Sequence, residues 1–257
     1  MGPIYEPGED SYLAQKYVSK YSNVELVLDM GTGTGIQAIT AAKNAKNVIA
    51  VDINPEAITQ SKLQADIDKI KNIKFIVSDL FEKVPKVKFD LIIFNPPYLP
   101  KHKHVDDVAL VSGKRGVDTT IRFLDSVNNF LKTNGKILLI TSSLASHSLL
   151  NQGFKKNLLK KKELEKKHIF FEDINILRLT KSDLLKKLES KGFKDSFNFA
   201  RGKRGVIIKS KLDNKNDSIK IKNENSDAFG NLEIEYKFLK TLNEHNIGPK
   251  VISFTDN

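Results

Sequence analysis

Leu91-Ile92-Ile93-Phe94-Asn95-Pro96-Pro97-Tyr98 decides how the fold is read. Four consecutive apolar residues make a strand buried on both faces, and the two prolines stop it. Upstream, Val24-Glu25-Leu26-Val27-Leu28-Asp29-Met30 runs into Gly31-Thr32-Gly33-Thr34-Gly35, an apolar run that ends in a glycine-rich turn. Two buried strands, each ending in an unusual loop, point to a site at the carboxyl edge of a parallel sheet, where open α/β folds bind ligands.

Outward from these strands, strand and helix alternate. Val24–Leu28 is followed by a helix over about 35–45, and Val48–Asp52 by a helix from Pro55, capped by Asn54, to about Ile70. Ile73, Phe75 and Val77 alternate with polar residues and read as an edge strand. Phe89–Phe94 is the next strand, then comes a polar loop from Pro100 to Gly116, a helix over 119–131, and a strand over 136–140 entered through a turn at Asn134-Gly135. This order predicts a mostly parallel sheet with right-handed crossovers. Upstream, an amphipathic stretch after Tyr5-Glu6-Pro7-Gly8-Glu9-Asp10-Ser11 reads as a helix capped by Asp10 or Ser11. Downstream, 146–167 reads as a lysine-rich helix, 169–179 as a strand, and 182–191 as a helix ended by Gly192. Residues 193–209 read as a hairpin around Arg201-Gly202-Lys203-Arg204-Gly205. The composition of 211–226 is that of a linker.

With 257 residues, 40% of them hydrophobic, the chain is long enough for one packed domain plus an appendage. It has no cysteine, which excludes disulfide scaffolds and cysteine-based zinc sites and fits a reducing compartment. No apolar run reaches the ~20 residues of a membrane helix, and the start lacks a signal-peptide pattern. The expectation is a soluble cytoplasmic protein without membrane contact. The net charge of +11 fits a nucleic-acid-associated partner, or equally a lysine-rich composition with solvated helix faces.

The glycine turn removes side chains where backbone must approach a ligand. Asp52, about twenty residues later at a strand end, is placed for both hydroxyls of a ribose, with Ile53 beside it. Three details favour S-adenosylmethionine over a dinucleotide. Ile36 stands where the last dinucleotide-pattern glycine would fall. Asp29 offers a carboxylate to a cationic amino group, whereas it would repel a pyrophosphate. Ser78-Asp79-Leu80 puts an acid where an adenine amino group can donate. At the other loop, methyl transfer to nitrogen is chiefly a positioning problem. The Asn95 side-chain oxygen and the Pro96 carbonyl can both accept from a planar NH2, Pro96 and Pro97 stiffen the backbone, and Tyr98 offers a face for stacking.

These motifs resemble those of class I methyltransferases of the HemK-like glutamine group. The closest likeness is to the short branch that methylates the glutamine of the Gly-Gly-Gln loop of translation release factors. The resemblance covers roughly residues 3–145 and extends to 180–210, and its most specific part is the pairing of Tyr5–Ser11 with Asn95–Tyr98. It implies a Rossmann-like fold: a mostly parallel seven-stranded sheet with a closing antiparallel hairpin, plus a small C-terminal appendage. The hairpin is expected within 182–210, with roughly 150–180 as an insertion or extra element. Domains are expected at 1–210 (methyltransferase), 211–230 (linker) and 231–257 (appendage). By resemblance, Glu9, Asp10 and Ser11 lie beside the cofactor. Asp29, Gly31, Gly33 and Gly35 form its loop, Asp52 with Ile53 holds ribose, and Asp79 with Leu80 holds adenine. Asn95, Pro96, Pro97 and Tyr98 are the catalytic motif, with Asn95 also beside the cofactor. Arg115, in Gly113-Lys114-Arg115-Gly116, matches a substrate loop. The resemblance also implies a class I release factor as protein substrate. It further implies a small zinc-binding activator subunit at the edge strand Ile73–Val77, where an apolar strand invites strand addition.

An adenine amino group satisfies Asn-Pro-Pro-Tyr as well as a glutamine amide does, so N6-adenine methylation of RNA or DNA stays open. A third alternative is an idle cofactor-fold module docked on translation machinery. No metal is expected, with His102 and His104 read as solvated loop residues. The lysines at 155, 156, 160, 161, 162, 166 and 167 read as a helix face. Residues 232–256 are similar to the early helix of small atypical protein kinases, and Ile219-Lys220-Ile221-Lys222 reads as a strand before it. No His-Arg-Asp or Asp-Phe-Gly motif follows, so kinase activity is not expected.

Overall fold

The computed structural model describes residues 4–98, 116–202, 205–222, 232–247 and 250–251. Its centre is a sheet of seven strands: β1 (Val24–Met30), β2 (Ala45–Asp52), β3 (Ile73–Val77), β4 (Phe89–Phe94), β5 (Leu131–Ser142), β6 (Leu159–Ile169) and β7 (Glu172–Lys181). The order is β3-β2-β1-β4-β5-β7-β6. The first five strands pair parallel, and β7 pairs antiparallel with both β5 and β6. The parallel strands read as unbroken apolar runs because both faces are covered. Val27, Leu91, Ile93, Leu138 and Ile140 face one core, against α1 (Glu9–Val18) and α2 (Ile36–Ala42). Their neighbours Leu28, Met30, Ile92, Phe94, Ile137 and Leu139 face the other, against α4 (Asp118–Val127) and α5 (His147–Lys156). α3 (Pro55–Ile67) starts at Asn54, whose side chain accepts from Glu56 N–H, as its cap position predicts.

Four expectations need correction. α1 begins at Glu9 with Gly8 as N-cap, so Asp10 and Ser11 lie inside the helix and buried rather than capping it. Asn134-Gly135 is not a turn before a strand but an irregularity within β5. There the register against β4 jumps from Phe89–Leu131 to Leu91–Lys136, and a Cβ on Gly135 would stand 2.8 Å from the Phe89 carbonyl. The lysine-rich helix ends at Lys156. Lys160, Lys161, Lys162, Lys166 and Lys167 belong to β6, the outer edge strand, where lysines discourage pairing with another chain. The hairpin that closes the main sheet is therefore β6–β7, not one within 182–210, and 159–181 is an element of that sheet rather than an insertion.

The expected hairpin over 193–209 does form, as β8 (Lys194–Arg201) and β9 (Gly205–Leu212). It joins a third strand, β10 (Lys215–Lys222), in a separate antiparallel sheet ordered β10-β9-β8. Much of the segment read as linker is thus a strand. Asp213 and Asn214, with φ of 50° and 63°, make the two-residue turn that leads into it, a conformation these residues tolerate. α6 (Asp183–Ser190) precedes this sheet and α7 (Leu232–Glu244) follows it. Among the described residues no helix is long and apolar enough to cross a membrane.

Candidate active site

A cavity of about 420 Å³ opens at the carboxyl ends of β1, β2 and β4. The turn after β1 forms one wall. Gly31, Gly33 and Gly35 all take positive φ, and a Cβ on Gly35, the N-cap of α2, would stand 2.8 Å from that of Ser61. Thr32 N–H donates to the Val51 carbonyl and Gly33 N–H to Asp52 Oδ2, each at 2.9 Å, which ties the turn to the end of β2. Asp52 Oδ1 accepts from Asn54 N–H at 2.9 Å. The carboxylate is thereby fixed while its remaining lone pairs stay available.

Asp29 is fully enclosed beneath the turn. Its Oδ2 accepts from Thr32 Oγ1 at 2.6 Å and Ala38 N–H at 3.0 Å. Burial pushes this carboxyl up to about 7, partly offset by those two donors. Gln37, at the start of α2, donates through Nε2 to the Ser11 carbonyl at 2.7 Å, and its buried Oε1 has no partner among the described residues. Asp29, Ser11 and Gln37 all line the cavity, as do Ile53, Asp79 and Leu80 at its far side. Asp79 is held by Arg122 of α4 at 2.7 Å.

At the end of β4, Asn95 and Pro97 line the same cavity. Asn95 Nδ2 donates to Asp10 Oδ2 at 2.8 Å. Because a carboxylate only accepts, this bond fixes which amide atom is which. Asn95 Oδ1 is left buried, with no partner among the described residues. Asp10 also accepts from Tyr5 Oη at 2.9 Å, Ser11 N–H at 2.7 Å and Tyr98 Oη at 3.2 Å. Burial foremost, then Asp10, raises both phenols, so they stay protonated donors.

The structure thus gathers Ser11, Asp29, Gly31, Gly33, Asp52, Ile53, Asp79, Leu80, Asn95 and Pro97 around one cavity. Five expected residues are not in its lining: Gly35, the N-cap of α2 packed against Ser61, Pro96, which stands between Asn95 and Pro97 of that lining, and Glu9, Asp10 and Tyr98. Glu9 faces β6 and pairs with Lys167. Asp10 lies behind Asn95 rather than in the cavity wall. Tyr98 packs between the two cores, with its hydroxyl turned to Asp10. Arg115, His102 and His104 lie outside the described residues. Among the described residues no cluster of three or more His, Cys, Asp or Glu is placed to hold a metal. Sequence reasoning missed Tyr5, Gln37 and Arg122. The first two carried a faint signal: a tyrosine just before the acidic motif, and an amide two residues past the glycine turn.

The donor set fits S-adenosylmethionine. Asp52 suits ribose hydroxyls, and Asp29 with the unpartnered Gln37 Oε1 suits an amino group. Among the described residues that line the wall, Arg122 is the cationic side chain, and Asp79 already engages it.

The chain is similar to a protein N5-glutamine methyltransferase of Methanocaldococcus jannaschii, with 42% identity over 147 residues, 55% of this chain and 73% of that one. It is 36% identical over 125 residues to the release factor glutamine methyltransferase of Lactococcus lactis, matching 44% of this chain and 46% of that one. It therefore spans just under half the length of that relative. In fold it resembles the E. cuniculi Mtq2–Trm112 complex, responsible for methylation of the eRF1 translation termination factor, with a TM-score of 0.56 and 24% identity over 69% of this chain and 98% of that one. Residues 12–169, which include both the glycine turn and Asn95–Tyr98, match the methyltransferase small domain, and the chain belongs to that family of enzymes.

Proposed function

We propose that this chain transfers a methyl group from S-adenosylmethionine to the side-chain amide nitrogen of a glutamine in a translation release factor, in the cytoplasm. The observation that carries the reading is Asn95 Oδ1, a buried acceptor in the wall of the donor cavity without a partner among the described residues. Leaving such a group unmade costs on the order of 1–3 kcal/mol. A primary amide donating to it relieves that cost and is thereby oriented.

S-adenosylmethionine supplies, when bound, an electrophilic methyl group on a cationic sulfur. Everything else is positioning by this chain. Asp52 accepts from the ribose hydroxyls, and Asp29 with Gln37 Oε1 accepts from the amino group. Asp79 and Leu80 border the adenine end. Asn95 Oδ1 and the Pro96 carbonyl accept from the acceptor NH2 and turn its nitrogen toward the donor. Asp10 acts through Asn95: it holds Nδ2, so Oδ1 faces the substrate. Tyr5 and Tyr98 hold Asp10 in turn.

The relatives' substrates support a glutamine acceptor. The edge position of β3, with Ile73, Phe75 and Val77 only partly buried, supports a small activator subunit adding a strand there. The test offers tritiated donor to the chain with purified release factor, total RNA and DNA as competing acceptors. Label in the release factor, lost when its loop glutamine becomes alanine, is expected. Label in RNA or DNA alone would replace this reading with adenine N6-methylation. A purified chain that binds donor and methylates the release factor as a monomer would remove the activator from the proposal.

A further inference from the structure

The turn between β6 and β7 is built from the wrong residues for a turn. Only Phe170 and Phe171 lie between Ile169, the last residue of β6, and Glu172, the first of β7. They are 87% and 96% exposed, the two most exposed large apolar side chains among the described residues. Phe170 also takes a φ of 47°. A two-residue hairpin turn favours glycine at such a place, and a bulky side chain with positive φ is an outlier. Folding therefore asks for neither ring, and solubility asks for polar residues in both positions. Where local rules are broken without a gain in packing, function is the usual reason.

The turn stands at the acceptor end of the methyl-transfer site. β5 ends at Ser142 on the carboxyl edge of the parallel strands, and β7 runs back from that edge beside it. Ser142 Oγ donates to Glu172. Ser143 N–H donates to the Asp173 carbonyl at 2.8 Å, and Asp173 N–H donates to Ser143 Oγ at 2.9 Å. These bonds fix the root of the turn to the end of β5. The Glu172 carboxylate lies close enough to the Tyr5 and Tyr98 hydroxyls to add to the rise that burial and Asp10 impose on both. Ile169, on the other side of the turn, packs against the same core as Tyr98. The two rings thus reach into solvent from a rigid mount beside the Asp10–Tyr98 pair that backs Asn95.

The charges around the rings select what meets them. Lys166 Nζ and His168 Nδ1 both meet Asp173, at 2.7 and 2.8 Å, and Lys167 pairs with Glu9. The three basic residues just before the turn are engaged by acids, and Glu172 adds a further negative charge. Such a rim is poorly suited to a phosphate backbone, which needs uncompensated cations. Exposed aromatic rings on a rigid, charge-balanced rim suit an apolar patch on a folded protein. Neither ring lines the donor cavity, so the contact is with the body of the acceptor and not with the reacting amide. We propose that Phe170 and Phe171 are the docking anchor for the protein that carries the acceptor glutamine. The anchor rests on the glutamine reading above and deepens it: the rings select the whole acceptor, while Asn95 orients its amide.

The test uses the whole chain with Phe170→Gly and Phe171→Asn together, a pair that suits the turn and keeps it folded. Initial rates of tritium transfer are measured against release-factor concentration at saturating donor. KM for the release factor is expected to rise about tenfold or more. Turnover and S-adenosylhomocysteine affinity should stay within about twofold of wild type, with no fall in melting temperature. Phe171→Tyr keeps the ring and should leave KM within a few-fold. An unchanged KM in the double variant, while the wild-type chain labels the release factor, overturns the anchor and leaves the function standing. No label in the release factor from the wild-type chain removes the function and the anchor together. A wild-type dimer in sedimentation that the double variant turns into a monomer gives the rings to a second copy of this chain, and overturns the proposal as well.

Discussion

At the donor end of the cavity, Asp29 and Asp52 are held by Thr32, Gly33, Ala38 and Asn54, all within one strand–turn–helix system and the strand beside it. At the acceptor end, Asn95 is held by Asp10, 85 positions away in sequence, and Asp10 by tyrosines from both loops. The donor end's acids are satisfied before anything binds. Each end keeps one buried polar atom with no partner among the described residues: Gln37 Oε1 stands where the donor's amino group would donate, and Asn95 Oδ1 where the acceptor amide would. The difference separates binding from turnover: substitutions at the first end should weaken donor affinity, and substitutions at the second should slow transfer from a donor already bound.

Asn95→Ala should break the comparison most sharply if it is wrong. Turnover at saturating donor is expected to fall by about 10²-fold or more, because misplacement of reacting groups by an ångström costs that much. Donor affinity should stay within a few-fold by calorimetry. Loss of donor affinity instead would move Asn95 to the binding end. Asp10→Ala acts through the same amide, so the double variant Asp10→Ala/Asn95→Ala should be no slower than Asn95→Ala alone. Full additivity would mean that Asp10 has a separate role.

Asp52→Ala tests the other end. Removing an acid that accepts from two ribose hydroxyls should cost about 1.5–3 kcal/mol, or roughly 10- to 100-fold in donor affinity, with turnover at saturating donor nearly kept. A fall in turnover with affinity unchanged would erase the distinction between the ends.

The two ends were also unequally legible in the sequence. The donor end is local: a glycine turn and an acid after the next strand spell it out, and Asp29, Gly33 and Asp52 stand where the spacing places them. The acceptor end needed a contact between residues far apart. The acidic motif predicts cofactor contact for Glu9, Asp10 and Ser11; Ser11 lines the cavity, whereas Asp10 grips Asn95. The parallel strands were legible because burial on both faces writes an unbroken apolar run. β6 was not: its apolar residues Leu159, Leu164 and Ile169 fall five apart around a bulge, and its lysines are good helix formers. Pairing with β7 decides its state. β10 hid for a similar reason. Its Lys215-Asn216-Asp217-Ser218 start is polar enough for a linker, and only the pairing with β9 makes it a strand.

A pH series sharpens the donor end. The Asp29 carboxyl, lifted to about 7 in the fold from an ordinary 3.8, is neutral below that pH and charged above it. A cationic amino group in the cavity favours the charged form, so donor affinity should rise by up to about tenfold between pH 6 and 8 and then level off. Asp29→Asn should flatten the rise. Stability of the free protein runs the other way. Between about 4 and 7 the folded state holds a proton that the unfolded state has released, so Asp29 costs stability increasingly as pH climbs through that window. Thermal melting of the variant minus that of the wild type should therefore grow with pH and plateau above 7. A difference independent of pH would mean that Asp29 is charged throughout.

Tyr98→Phe should give the smallest effect and the finest discrimination. The ring still packs between the two cores, so stability is expected to change by about 1 kcal/mol or less. What is lost is one hydrogen bond of 3.2 Å to Asp10, while Tyr5, Ser11 and Asn95 keep theirs. Three remaining residues hold the carboxylate in place, so turnover should fall only a few-fold, with donor affinity unchanged. If the ring instead stacks on the acceptor amide, Tyr98→Phe should be silent and Tyr98→Leu should raise KM for the acceptor. If the hydroxyl's grip on Asp10 is what counts, Tyr98→Phe and Tyr98→Leu should lower kcat alike with the acceptor KM unmoved. The split between KM and kcat thus decides whether Tyr98 meets the substrate or stands behind the residue that does.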